Sequence, residues 1–146
     1  MIVERYSERY FNDVVKIVEN FHKEAVGEWD GLLDPQSLID SIRDRKDAPG
    51  WFLLIIDGKC QGLLYGLIAK SLINERLVFQ EVIWYVNEAY RGTGVNFFKE
   101  VERQLREMGV SLIIMAVLEN SKTEKLKNLY EGLGYKKMET HYVRTF

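Results

Sequence analysis

Between Tyr90 and Phe97 the chain reads Arg91-Gly92-Thr93-Gly94-Val95-Asn96, with the apolar run "RLVFQEVIWYV" before it and helix-spaced apolar residues after it. A strand that enters a glycine-rich turn and opens a helix is suited to holding an anion. The first helical turn has unpaired N–H groups and a partial positive charge, and glycine lets phosphate oxygens approach the backbone. The dinucleotide fingerprint needs three glycines at fixed offsets and the P-loop needs glycine-lysine-serine/threonine; neither is present. On its own residues, the loop is either a phosphate cradle of another kind or a plain strand-to-helix turn.

The rest of the composition narrows the chemistry. A chain of 146 residues is long enough for one well-packed core, so one domain over residues 1–146 is expected. Its net charge of -2 offers no broad attraction to nucleic acid or an anionic membrane. A single cysteine, Cys60, and two distant histidines, His22 and His141, provide neither a disulfide nor a clustered metal site, and none of the three is assigned a role. No apolar run approaches the roughly 20 residues of a membrane span, and "MIVERYSERY" lacks the apolar stretch of a signal peptide. The expectation is a cytoplasmic protein without metal, nucleic-acid or membrane partners.

The elements that must position the loop follow from periodicity. After Ile2 and Val3, the residues Phe11, Val14, Val15, Val18 and Phe21 recur at helical spacing. Asp34 and Pro35 then read as N-cap and first position of a second helix carrying Leu38, Ile39 and Ile42. "WFLLII", "DG" and "CQGLLYGLIA" read as strand, tight turn and strand, and "RLVFQEVIWYV" as a third, mostly buried strand after a turn at Asn74 and Glu75. Phe97, Phe98, Val101, Leu105 and Met108 predict a helix closed by Gly109. "VSLIIMAVL" predicts a buried strand, and Leu126, Leu129, Tyr130 and Leu133 a helix ending at Gly134. "YKKMETHYVRTF" can supply one or two final strands, giving β-α-α-β-β-β-α-β-α-β-β, a mixed α/β sheet domain.

The loop resembles the acyl-coenzyme A loop of the GNAT N-acyltransferase superfamily, whose pattern is Arg/Gln-x-x-Gly-x-Gly/Ala. The resemblance extends back through "WYVNEAYRG" and forward to "NLYEGLGY", and the element order extends it over nearly the whole chain. It implies a GNAT-like fold and acetyl-coenzyme A as cosubstrate, with Arg91 and the amides of Gly92, Thr93, Gly94, Val95 and Asn96 at the pyrophosphate. Tyr85 and Val86 would pair their backbone with the pantetheine arm like an added strand, and Asn120 would lie near that arm unless it is only a cap. Asn96 stands where the family has glycine or alanine, so cofactor affinity is the property this departure touches.

The same resemblance implies transfer of an acetyl group to a primary amine of a small molecule or peptide by direct attack in a ternary complex. Tyr130 resembles the tyrosine beside the cofactor sulfur that protonates the departing thiolate; its helical spacing also suits a core aromatic. The family's glutamate base falls at Gln80, which cannot act as a base. Its neighbour Glu81 faces the other side of a regular strand and reaches the same space only through a bulge. Glu81 is therefore either a base of raised pKa or a structural partner of a cation. Glu28, Trp29 and Asp30, between the first two helices, would suit a cationic acceptor or form a solvated loop. The alternative to an enzyme is a GNAT-fold sensing or interaction module without turnover. Exposed C-terminal edge strands would suit a homodimer.

Overall fold

The computed structural model describes residues 1–25, 34–118, 122–144 and 146. It divides into two compact units, Met1–Ala116 and Val117–Phe146.

The first unit is built on a five-stranded sheet of order β1-β2-β3-β4-β5, with β1 Ile2–Arg5, β2 Trp51–Ile56, β3 Lys59–Lys70, β4 Leu77–Val86 and β5 Leu112–Ile114. All pairings are antiparallel except β4 with β5. The expected hairpin is present. Asp57 and Gly58 both take positive φ, 50° and 76°, which is the backbone a two-residue turn between twisted strands requires. At the next reversal Glu75 also has positive φ, and the Asn74 side chain accepts from the Arg76 amide at 3.1 Å.

Three helices cover the sheet: α1 Phe11–Ala25, α2 Pro35–Asp44 and α3 Gly94–Glu107. Asp34 caps α2 as its sequence predicts, accepting from the Gln36 amide at 3.1 Å and the Ser37 hydroxyl at 2.6 Å. The apolar stripe of α1 (Val14, Ile17, Val18) and that of α2 (Leu38, Ile39, Ile42) pack with Trp51, Leu53, Ile55, Leu63, Tyr65 and Ile83 on one face of the sheet. Trp51 and Tyr65 stack there with centroids 3.6 Å apart. Phe52, Leu54, Leu64 and Phe79 belong to the other face with Phe97, Phe98, Val101 and Leu105 of α3, and Trp84 stacks on Phe98 at 5.0 Å. Burial on both faces explains why β2 reads as an uninterrupted apolar run. Each such large side chain contributes on the order of 1.5–3 kcal/mol by leaving water.

Helix α3 stops as the sequence predicts. Gly109 takes φ 88°, its amide donates to the Arg106 carbonyl, and the Val110 amide donates to that of Leu105. This Schellman arrangement turns the chain directly into β5.

The second unit holds α4, Thr123–Gly132, closed in the same way: Gly134 has φ 91° and the Tyr135 amide donates to the Tyr130 carbonyl at 2.9 Å. The rings of Tyr130 and Tyr135 lie 5.7 Å apart, the side-chain contact that accompanies this stop signal. The expectation of one or two strands in "YKKMETHYVRTF" is corrected here: the described residues from 135 to 146 form none. Met138, Tyr142 and Val143 all stand exposed, so a ladder would gain little burial to offset the ordering of the backbone. The C-terminal edge strands expected to form a dimer surface are thus not formed, and His141, placed on a strand by the sequence reading, instead pairs with Glu139 on an irregular segment. The strand expected over residues 110–118 is shorter too, covering only Leu112–Ile114.

Candidate active site

The short β5 and a fault in β4 have one cause. Tyr65 of β3 faces Ile83, while the next residue, Gly66, faces Glu81, so Val82 is an extra residue in β4. Phe79 and Ile83 are four apart and would share a face of a regular strand. Instead Phe79 packs on Phe52, and Ile83 packs with the α1/α2 core. A bulge bends its strand and sharpens the twist. The β4–β5 ladder accordingly ends at Gln80 and Ile114, just before it.

Where the two strands part, the Glu81 carboxylate accepts the Ala116 amide at 2.7 Å. Glu81 is half-buried, and its partner Ala116 is exposed. Desolvation raises its pKa to about 7 against the opposing effect of the Ala116 hydrogen bond. A carboxylate titrating there can take a proton from an ammonium or amine at neutral pH. The bulge lies one residue beyond Glu81, so Gln80 and Glu81, paired in turn with Leu67 and Gly66, keep the alternation of a regular strand.

Beyond the bulge β4 continues to Val86, and a 3-10 turn over Glu88–Thr93 leads into α3. The first turn of α3 has no side-chain cap: Thr93 Oγ1 donates instead to the Tyr90 carbonyl at 2.7 Å. A Cβ on Gly92 would meet nothing within 4 Å, and one on Gly94 only a Val86 methyl at 4.0 Å. Gly92 is exposed, whereas Gly94 is buried. Of the loop amides, that of Gly94 donates to the Arg91 carbonyl. Asn96 is exposed and lines a groove of about 570 Å³ with Met1, Ile2, Val3, Lys99 and Arg103. An uncapped helix start, open space at Gly92 and a β4 edge released from β5 fit a cofactor with a pyrophosphate and an extended amide arm.

Arg91 is turned inward. Its guanidinium pairs with Glu24, donates from Nε to the Val86 carbonyl at 3.3 Å and from Nη2 to the Tyr85 hydroxyl at 3.3 Å. The Tyr85 hydroxyl donates to Glu24 at 2.6 Å. Burial, then the Glu24 hydrogen bond and charge, push the Tyr85 phenol up to about 12. For Arg91, burial alone would lower the pKa; Glu24 and Tyr85 outweigh it and raise it.

Tyr130 lies in the second unit, 7% exposed, at the end of α4. Asn120 and the trio Glu28, Trp29 and Asp30 lie outside the described residues. Cys60 is buried, and desolvation first of all pushes its thiol to about 12, which leaves it inert near neutral pH. Among the described residues, no group of three His, Cys, Asp or Glu could hold a metal ion, and no helix is long and apolar enough to cross a membrane.

Two residues of this region were not found from sequence. Glu24 is an acid near the C-terminal end of α1, where the helix dipole disfavours negative charge; that mismatch is its only local signal. Gly66 sits inside a strand, where glycine marks a bulge or a close backbone approach.

Solved structures share this architecture over nearly the full length of both chains. A ribosomal-protein-alanine N-acetyltransferase from Brucella melitensis biovar Abortus superposes with TM-score 0.78 at 15% identity, covering 99% of this chain and 98% of its own. An aminoglycoside antibiotic 6'-N-acetyltransferase from Acinetobacter haemolyticus does so with TM-score 0.70 at 15% identity, covering 100% and 98%. The chain has the GNAT acetyltransferase fold. A transcriptional regulator from Bacillus halodurans shares it as well, with TM-score 0.78 at 15% identity over 99% of each chain. No protein-family model and no curated protein matches the sequence. At these identities the likeness establishes the GNAT fold, and the site's chemistry must be argued from its own residues.

Proposed function

We propose that the chain is a single N-acetyltransferase domain that moves an acetyl group from acetyl-coenzyme A to a primary amine. The observation that carries this reading is the Val82 bulge, which ends the β4–β5 ladder and sets a carboxyl of pKa about 7 at the opening. In this reading the released edge at Tyr85 and Val86 aligns the pantetheine arm. The loop from Arg91 to Asn96 holds the pyrophosphate by its main chain.

Glu81 takes the proton that the attacking amine must lose. The amine nitrogen forms its bond to the thioester carbonyl carbon, the carbon–sulfur bond breaks, and Tyr130 supplies a proton to the thiolate, a role it has by resemblance to the family. Asn120 would lie near the arm, and Glu28, Trp29 and Asp30 would draw a cationic acceptor. No metal is required, since a protein base and a thioester leaving group suffice. The test is mass-spectrometric detection of acetylated product from a panel of small amines and N-terminal peptides with acetyl-coenzyme A. Absence of product across the panel, with acetyl-coenzyme A bound, would favour the second reading.

That second reading is a GNAT-fold sensing or interaction module without turnover. The Bacillus halodurans regulator favours it, as does Gln80 at the family's base position. It predicts ligand binding with no acetylated product from any amine.

A further inference from the structure

The Arg91 guanidinium opens the anion-binding motif, yet among the described residues its contacts lead back into the fold. It meets a carboxylate on α1, the phenol of Tyr85 and the carbonyl of Val86, and it lies 5.5 Å from the Tyr85 ring centroid. Glu24 holds this arrangement together, because one of its oxygens accepts from Tyr85 and the other from Arg91. The two side chains of the ion pair are 33% and 35% exposed, so the pair is screened less than a free surface pair and is supported by the phenol between them.

We propose that Glu24 is a positioning residue for the cofactor loop. By holding the Arg91 guanidinium on the α1 side, it makes Arg91 a strut that ties the start of the loop to the end of β4, Tyr85 and Val86. The pyrophosphate is then left to the backbone amides at the start of α3. The Glu24 charge also offsets that of Arg91, so the strut adds little net charge of its own. The loop's other fixed bonds, Thr93 to the Tyr90 carbonyl and Gly94 to that of Arg91, brace the same turn from within. This inference rests on the acetyltransferase reading, and it adds a residue remote in sequence that acts on cofactor binding through Arg91 and Tyr85.

The opposite role for Glu24 makes the opposite prediction. Were Arg91 a direct ligand of the pyrophosphate that Glu24 merely restrains, E24Q would release the guanidinium and tighten binding. As a strut, E24Q weakens acetyl-coenzyme A binding about fivefold to tenfold, R91M weakens it by a similar factor, and the double variant binds no worse than the weaker single variant. Calorimetric titration of the four proteins reads this directly. E24Q binding as well as or better than the wild type overturns the proposal.

Thermal unfolding of the same four proteins without ligand gives an independent readout. Coupled losses, with the double variant melting no lower than the weaker single variant, support the strut, and additive losses overturn it. Should E24Q fail to fold, Y85F removes only the phenol's hydrogen bonds and is expected to weaken binding in the same direction. A wild-type protein that binds no acetyl-coenzyme A would sink the acetyltransferase reading, and with it any cofactor role of Glu24, a result distinct from normal wild-type binding with an unaffected E24Q.

Discussion

The Glu81 carboxylate accepts the Ala116 amide at the point where β4 and β5 separate, so a side chain takes the place of the next ladder bond. That substitution joins the fold's irregularity to its chemistry. With a pKa raised from 4.5 to about 7, Glu81 is about half ionised at neutrality; if it is the base, the rate of amine acetylation should rise through pH 7 with the ionised fraction. Glu81→Gln should lower kcat by about 100-fold or more and abolish that limb, while changing acetyl-coenzyme A affinity little.

The same shift makes a stability prediction. A group whose pKa is higher folded than unfolded stabilises the fold at low pH, and the benefit disappears as the pH rises from about 4.5 to about 7. Chemical denaturation of wild type and Glu81→Gln at pH 5 and pH 8 should therefore show the variant gaining relative stability at pH 8. A difference independent of pH would assign the titration elsewhere.

Gly66 lies on β3 opposite the bulge. A Cβ there would lie 2.4 Å from the Phe79 ring and 2.5 Å from the Gln80 carbonyl, and its amide donates to the Gly50 carbonyl at 3.1 Å. Gly66→Ala must displace Phe79 or the β4 backbone, at an expected cost of about 1–3 kcal/mol. Urea unfolding measures the cost. A shift of the pH profile in the surviving folded protein would show that Glu81 has been re-aimed.

Gly94 separates loop architecture from ligand space. Its φ of -57° is ordinary helix, and an added Cβ meets only a Val86 methyl at contact distance. Gly94→Ala should therefore fold at least as well as wild type, gaining up to about 1 kcal/mol of helix propensity. Gly94→Glu should fold yet lose acetyl-coenzyme A binding by about 100-fold, because its carboxylate would face the pyrophosphate. Tyr130→Phe should lower kcat without that loss of binding, whereas a module without turnover would tolerate it. Steady-state kinetics and calorimetry on the same preparations separate these outcomes.

Much of this was readable along the chain because the signals are local. The Asp57-Gly58 turn, the Asp34 cap and the stop glycines Gly109 and Gly134 each act within a few residues, and each sits where its chemistry predicts. The turn from β4 into α3 was legible for the same reason. The length of β5 was not, since a bulge in β4 decides it from more than thirty residues away in sequence. Glu24 was hidden likewise, its partners Tyr85 and Arg91 being 61 and 67 residues distant. The C-terminal segment has strand-forming residue types but no apolar face that burial would reward.

The measurement that bears most directly on the central claim is calorimetric titration of wild-type protein with acetyl-coenzyme A, with Gly94→Glu as the control. The account predicts one-site binding with a dissociation constant between about 1 μM and 1 mM, the range of enzyme substrates, and binding about 100-fold weaker to Gly94→Glu. Silence from the wild type at millimolar ligand, or equal binding by both proteins, would contradict it.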